Sequence, residues 1–206
     1  MENGFIFKTV DTVTVSLNYL NLVEFFKFVA RKLTPESSPA TEKIKNCNIA
    51  IDIFIVMKWV LMIFLWVNNI NSPFWTLLVL YLIWSNYHTY FYYHVWKTPS
   101  PITDFDKSRR RFIALIMAIF FNVVSFGYLY STSFAQDFSW GNINNLPLNS
   151  LLFSISQSFF LGSSDVSPLT ESGEILATVQ SLITFIFIVI ILAKSVPQGA
   201  EQNKEK

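Results

Sequence analysis

The chain of 206 residues has a single cysteine, two histidines and only 14% charged residues, against 52% hydrophobic ones. A lone Cys47 excludes an internal disulfide. His88 and His94 are six positions apart and so on different faces of a helix, which leaves no clustered metal ligands. The sequence contains no nucleophile elbow, no metal-ligand pair at i, i+4 and no paired carboxylates within an apolar run, so neither an enzyme nor a metal or other cofactor is expected. Glycine is scarce as well: six in all, with none between Gly173 and Gly199. The low share of charge is wrong for a soluble domain and usual for a polytopic membrane protein. A net charge of +1 says little as a total; what matters is where the charges sit.

What the chain has in quantity is apolar sequence, with phenylalanine alone present 21 times. About 20 apolar residues at roughly 1.5 Å each match the hydrocarbon thickness of a bilayer. Four such spans are expected: Ile49 to Val67, Phe74 to Trp96, Phe112 to about Ser133, and Ile175 to Ala193. Between the third and fourth lies Leu146 to Leu161, an apolar segment too short to cross as a straight helix and better suited to a re-entrant one.

Lysine and arginine fall on one side of these spans. Six lie in residues 1–48, five in the second connection, three in the tail, and Lys58 lies inside the first span; none falls in 68–73 or 131–174. The positive-inside rule then places both termini and the second connection in the cytoplasm of a multi-pass protein, in a bacterial inner or plasma membrane, and the re-entrant segment enters from outside. The opening MENGFIFK carries an acid and no apolar core with a cleavage site, so no signal peptide is expected.

The stretch FFLGSSDVSPLT, Phe159 to Thr170, puts glycine, two serines, an aspartate and a proline beside the fourth span. Non-helical backbone at membrane depth is tolerated where it is buried in protein or lines a wet cavity, and a pore is the economical explanation. The longer run FSISQSFFLGSSDVSPLTESGEILATVQSLITFIFIVIILAKSV, Phe153 to Val196, resembles the pore-loop potassium-channel superfamily: pore helix, glycine, aspartate, a Ser167-Pro168 turn, then the inner helix. The resemblance covers roughly Phe112 to Val196. It implies an all-α membrane protein with four transmembrane helices and a re-entrant pore helix and loop between the third and fourth, assembled as a homotetramer.

The family filter T-V-G-Y-G-D is degraded here. Aligned on Asp165, the resemblance puts Phe160 at the filter threonine, Leu161 at valine, Gly162 at the first glycine, Ser163 at tyrosine and Ser164 at the second glycine. Phe160 supplies no hydroxyl, and Ser164 disfavours a positive φ, so a wider or shorter constriction that discriminates weakly among inorganic ions is expected. The outer segments carry Asp137, Asp165, Glu171 and Glu174 and no base, which favours cations at the mouth. Ala177, Ser181, Thr184, Ile188 and Ile191 share one face of the last helix at spacings of three and four. Two readings of that face stand: a pore lining with an apolar gate at Ile188 and Ile191, or packing against neighbouring helices.

Lys107, Arg109, Arg110 and Arg111 form a basic foot to the third span. It reads as a topology signal and anionic-lipid contact, or as a collar for an anionic cytosolic ligand such as a nucleotide or oligonucleotide, with no readout of duplex nucleic acid. Asp52 and Lys58, about 240° apart on a helix, cannot pair. Asp52 belongs at the interface, while Lys58 either snorkels or meets an acidic ligand or another subunit. Ser85 to Lys97 reads as an aromatic belt at the cytoplasmic interface. Thr12 to Leu33 reads as a cytoplasmic or membrane-surface helix and Thr34 to Lys43 as a linker.

The chain therefore divides into an N-terminal region (1–48), two peripheral spans (49–97), a basic connection (98–111), a pore module (112–196) and a tail (197–206). The expected function is a tetrameric, weakly selective, cation-preferring channel regulated from the cytoplasm, similar in outline to small bacterial effector channels. The alternative is a non-conducting membrane scaffold or regulator that keeps a disabled pore fold.

Overall fold

The computed structural model describes residues 4–97, 105–141, 145–162 and 165–192. Its elements are almost all helical: α1 (Phe5–Asn18), α2 (Leu22–Leu33), α3 (Ala40–Val67), α4 (Pro73–Phe91), α5 (Phe105–Ser131), α6 (Leu146–Ser158) and α7 (Glu171–Ile186). α4 and α7 each continue into a wider π-helical turn, Tyr92–Trp96 and Phe187–Leu192. Two short strands, β1 (Phe138–Ser139) and β2 (Ser167–Pro168), pair antiparallel.

Three helices are long and apolar enough to cross a membrane: Ala40–Val67, Phe112–Ser131 and Glu171–Val189. The expected second span is helical, but α4 is not among them. Its second half carries Ser85, Asn86, His88 and Thr89, which dilute the apolar run, and the first three of these are buried against neighbouring helices. The aromatic belt expected there is in part an interior surface, with His88 stacked between Trp84 and Tyr92 at 5.3 and 6.0 Å.

Local chemistry sets the helix ends. Asn21 caps α2 by accepting from the Val23 amide, with Glu24 in the first turn and Arg31 and Lys32 in the last, the polarity that the helix dipole favours. Asn145 caps α6 through the Leu148 amide, and Thr170 caps α7 through the Gly173 amide. Pro73 opens α4 at a position that has no hydrogen bond to lose.

The expected single helix over Thr12 to Leu33 is two helices. The chain breaks at Tyr19 to Asn21, and the two arms form a hairpin along α4 and α3. Trp96 donates to Asp11 at 2.8 Å near one end, and Tyr81 donates to the Leu20 carbonyl at 2.5 Å at the tip. Asn21, buried at the tip, donates to Thr89 at 2.7 Å and accepts from Ser85 at 3.2 Å.

α5 is the central helix, touching α3, α4, α6 and α7. Gly127 lets α6 approach it closely: a Cβ there would lie 3.3 Å from the Leu151 Cα and 2.9 Å from the Trp66 ring. Next to this contact Tyr130, Phe138 and Phe153 form a triangle of rings with centroids 4.9 to 5.5 Å apart. Buried aromatic area of this kind is the largest apolar contribution a side chain makes. At one end of the bundle Arg110 of α5 grips Asp52 of α3 with both contacts at 2.9 Å, and at the other Tyr128 donates to the Ile70 carbonyl.

Candidate functional site

The site grows from α6. This 13-residue helix ends where α5 and α7 are at mid-length, and two serines on its inner face, Ser154 and Ser158, hold it there. Ser154 donates to the Val123 carbonyl at 2.7 Å. Gln180 of α7 sends its amide nitrogen to the Ser154 carbonyl, the Ser154 hydroxyl and the Ser158 hydroxyl at 2.8, 2.7 and 2.9 Å, while its oxygen accepts from Tyr130 at 2.6 Å. Gln180, Ser154 and Ser158 have no solvent exposure, and both polar atoms of the Gln180 amide are satisfied. Sequence reasoning missed this knot, although its signal is present: a lone amide in an otherwise apolar span, and serines at i, i+4 on the short helix.

After Ser158 the chain leaves the helix. Phe160 and Gly162 both have positive φ, +56° and +70°. A phenylalanine there is strained relative to glycine, and its ring stands exposed, edge-on to Phe185 of α7 at 6.5 Å. Leu161 is 72% exposed, and Asp165 lies on the surface. Ser163 and Ser164 lie outside the described residues.

The far side of the loop is clamped. Phe138 pairs with Pro168 and Ser139 with Ser167; the Leu169 amide donates to the Asp137 carbonyl at 2.8 Å, and the Thr170 hydroxyl donates to the Asp137 carboxylate at 2.6 Å. Asp137, expected as one of the outer acids, is thus engaged in holding the return of the loop. Gly173 is needed at this joint, since a Cβ on it would sit 2.6 Å from the Asp137 carbonyl oxygen. Gly141, with φ +58°, fits against the Asp165 carbonyl in the same way.

The expected lining face of the last helix is split. Ala177 (7% exposed) and Thr184 (2%) are turned into the chain's own core beside Gln180. Ser181 is half-buried against Gln157 at the end of α6, with contacts at 3.4 and 3.3 Å, and Ile188 is half-buried. The side chain of Ile191 lies outside the described residues. The exposed strip of α7 is instead Ile175, Val179, Leu182, Phe185 and Val189. Helical spacing reports that residues share a face, and α6 and α5 have taken the face that carries Gln180.

Of the basic foot, Arg110 is partly occupied: besides Asp52 it donates to the Asn48 carbonyl at 3.1 Å. Arg109 is exposed, and the side chains of Lys107 and Arg111 lie outside the described residues. Lys58 does not snorkel. It is buried, donates to Asn86 at 2.6 Å, and its ammonium lies 4.4 Å from the centre of the Phe121 ring. Asn86 passes the contact on to the Ala118 carbonyl and to Asn122 at 3.0 and 3.2 Å. Among the described residues no group of three or more His, Cys, Asp or Glu side chains is placed to hold a metal ion.

No family model, curated protein or solved structure matches the chain.

Proposed function

We propose that the chain is one protomer of an oligomeric membrane pore that passes small inorganic cations with weak selectivity. The observation that carries this reading is α6: a half-length helix whose C-terminal end is tied to the middle of two longer apolar helices and followed by non-helical backbone at Phe160 and Gly162. Irregular backbone at that depth finds its partners in protein or in water. One such loop per chain encloses nothing, so several copies meet around an axis, four by the resemblance to pore-loop channels. The exposed apolar strip of α7 is the surface left for the neighbouring copies and the passage between them.

The membrane registers on the same helices. The Arg110 and Asp52 contact and the Tyr128 and Ile70 contact are separated by 18 positions of α5, about 27 Å of helix, close to the hydrocarbon thickness. The basic end, with Arg109 and Arg110, faces the cytoplasm under the positive-inside rule. There it meets anionic lipid or a soluble anionic ligand. α4 accompanies α3 as a fourth crossing helix whose polar half is shielded by α1, α2 and α5. Asp165, Glu171 and Glu174 gather at the outer mouth and enrich cations there.

Purified chain reconstituted in planar bilayers is expected to give discrete currents carried by sodium and potassium alike. Asp165→Asn is expected to lower the unitary cation conductance. A particle that is monomeric in mild detergent, or silent in bilayers while fully folded, leaves the scaffold reading in possession.

A further inference from the structure

A cavity of about 270 Å³, open on one side, lies between α2, α3 and α4. Two lysines reach it, and their circumstances differ. Lys27 is neutralised by Glu24 at 2.7 Å, and Tyr93 holds both of them. Lys58 has three N–H donors and gives one to Asn86; the rings of Phe121 and Phe54 flank its ammonium at 4.4 and 5.9 Å, and no carboxylate among the described residues reaches it. A buried ammonium without an anion is among the costliest arrangements a protein keeps, and inside a membrane such a residue marks a site.

The remaining polar groups around the cavity are committed. The Thr89 hydroxyl donates to the Ser85 carbonyl at 2.7 Å, Tyr93 donates to Glu24, and the Asn86 amide donates to Ala118 and Asn122. The Lys58 amine is therefore left over, a base with N–H donors to offer an acid, in a cavity otherwise walled mainly by Ile51, Phe54 and Ile55. That chemistry selects a ligand with a single compact acidic head and an apolar body. A nucleotide would strand its sugar and further phosphates against those three side chains.

We infer that this cavity binds an amphiphile whose acidic head, carboxylate or phosphate, pairs with Lys58 while its tail runs out along Ile51 and Ile55. The far side of the cavity is Tyr90, which donates to the Ala114 carbonyl at 2.6 Å and packs against Phe187 of the last helix at 5.9 Å. Occupancy thus bears on the foot of α7; an effect on currents rests on the pore reading, whereas the binding does not.

The test measures binding alone, on the full chain in phosphatidylcholine vesicles, with spin-labelled oleate as one probe and phosphatidylglycerol doped into the vesicles as the other. Saturable oleate immobilisation identifies a free amphiphile as the ligand, and selective enrichment of phosphatidylglycerol around the protein identifies a bilayer lipid. Either is expected to weaken about a hundredfold in Lys58→Met, the loss that follows when one member of a buried charge pair goes. Ile55→Trp, which fills the cavity and keeps the lysine, is expected to block binding equally and covers the case of a misfolded Lys58→Met. Absence of saturable binding in both arms, or wild-type binding by Ile55→Trp, overturns the inference.

Discussion

Gln180 and Lys58 are both polar, both buried and both at mid-length of an apolar helix, yet the chain treats them differently. Around Gln180 the donors and acceptors balance: Tyr130, Ser154 and Ser158 converge on one amide. Around Lys58 they do not. The network runs through Asn86 to Asn122, whose own amide nitrogen has no partner among the described residues, and a cavity lies against the ammonium. Satisfied buried networks rigidify and specify a packing, whereas unsatisfied ones are retained at a cost that stability alone does not explain. The C-terminal half uses its buried polarity to fix α6 in place; the N-terminal half leaves polarity unmatched beside a cavity.

The sharpest way to break this contrast is Gln180→Leu. It leaves the buried Tyr130 and Ser158 hydroxyls without that partner and is expected to cost about 3 kcal/mol, read as a lower midpoint of thermal unfolding in detergent. A melt unchanged from wild type would show that the knot holds nothing. Next in size is Gly173→Ala, where the new methyl meets the Asp137 carbonyl; a cost of about 2 kcal/mol is expected, with faster hydrogen exchange at the Leu169 amide as the clamp loosens. Lys58→Met sharpens the comparison from the other side. Removing an uncompensated charge is expected to leave stability within about 1 kcal/mol of wild type or to raise it, and a loss as large as that of Gln180→Leu would erase the distinction drawn here. Smallest is Arg110→Ala. Its ion pair with Asp52 is 46% and 61% exposed, so a loss of about 0.5 kcal/mol is expected, fading further as salt is added.

Much of the framework was legible in the sequence, because hydrophobic length and helix-breaking composition are local. The apolar runs at Ile49, Phe112 and Ile175 reappear as α3, α5 and α7, and the short one at Leu146 as α6. Partnership was not legible, because it is a property of pairs far apart in the chain. Nothing around Lys58 announces that its partner is Asn86, 28 positions later. The break that divides α1 from α2 carries no glycine or proline; Asn21 alone marks it, and its side chain is fixed by Ser85 and Thr89, more than sixty residues on. On α7 the spacing of Ala177 and Thr184 puts them on one face, but only the docking of α6 decides that this face looks inward.

The two anchorages of the loop have a mechanical consequence. On one bank stands Ser158, moored to Gln180; on the other stands the joint of Asp137 with Leu169, Thr170 and Gly173. The distance between these two banks is therefore set by the helices that carry them and not by the composition of the residues that join them. A connection longer by one residue is expected to leave both banks where they are.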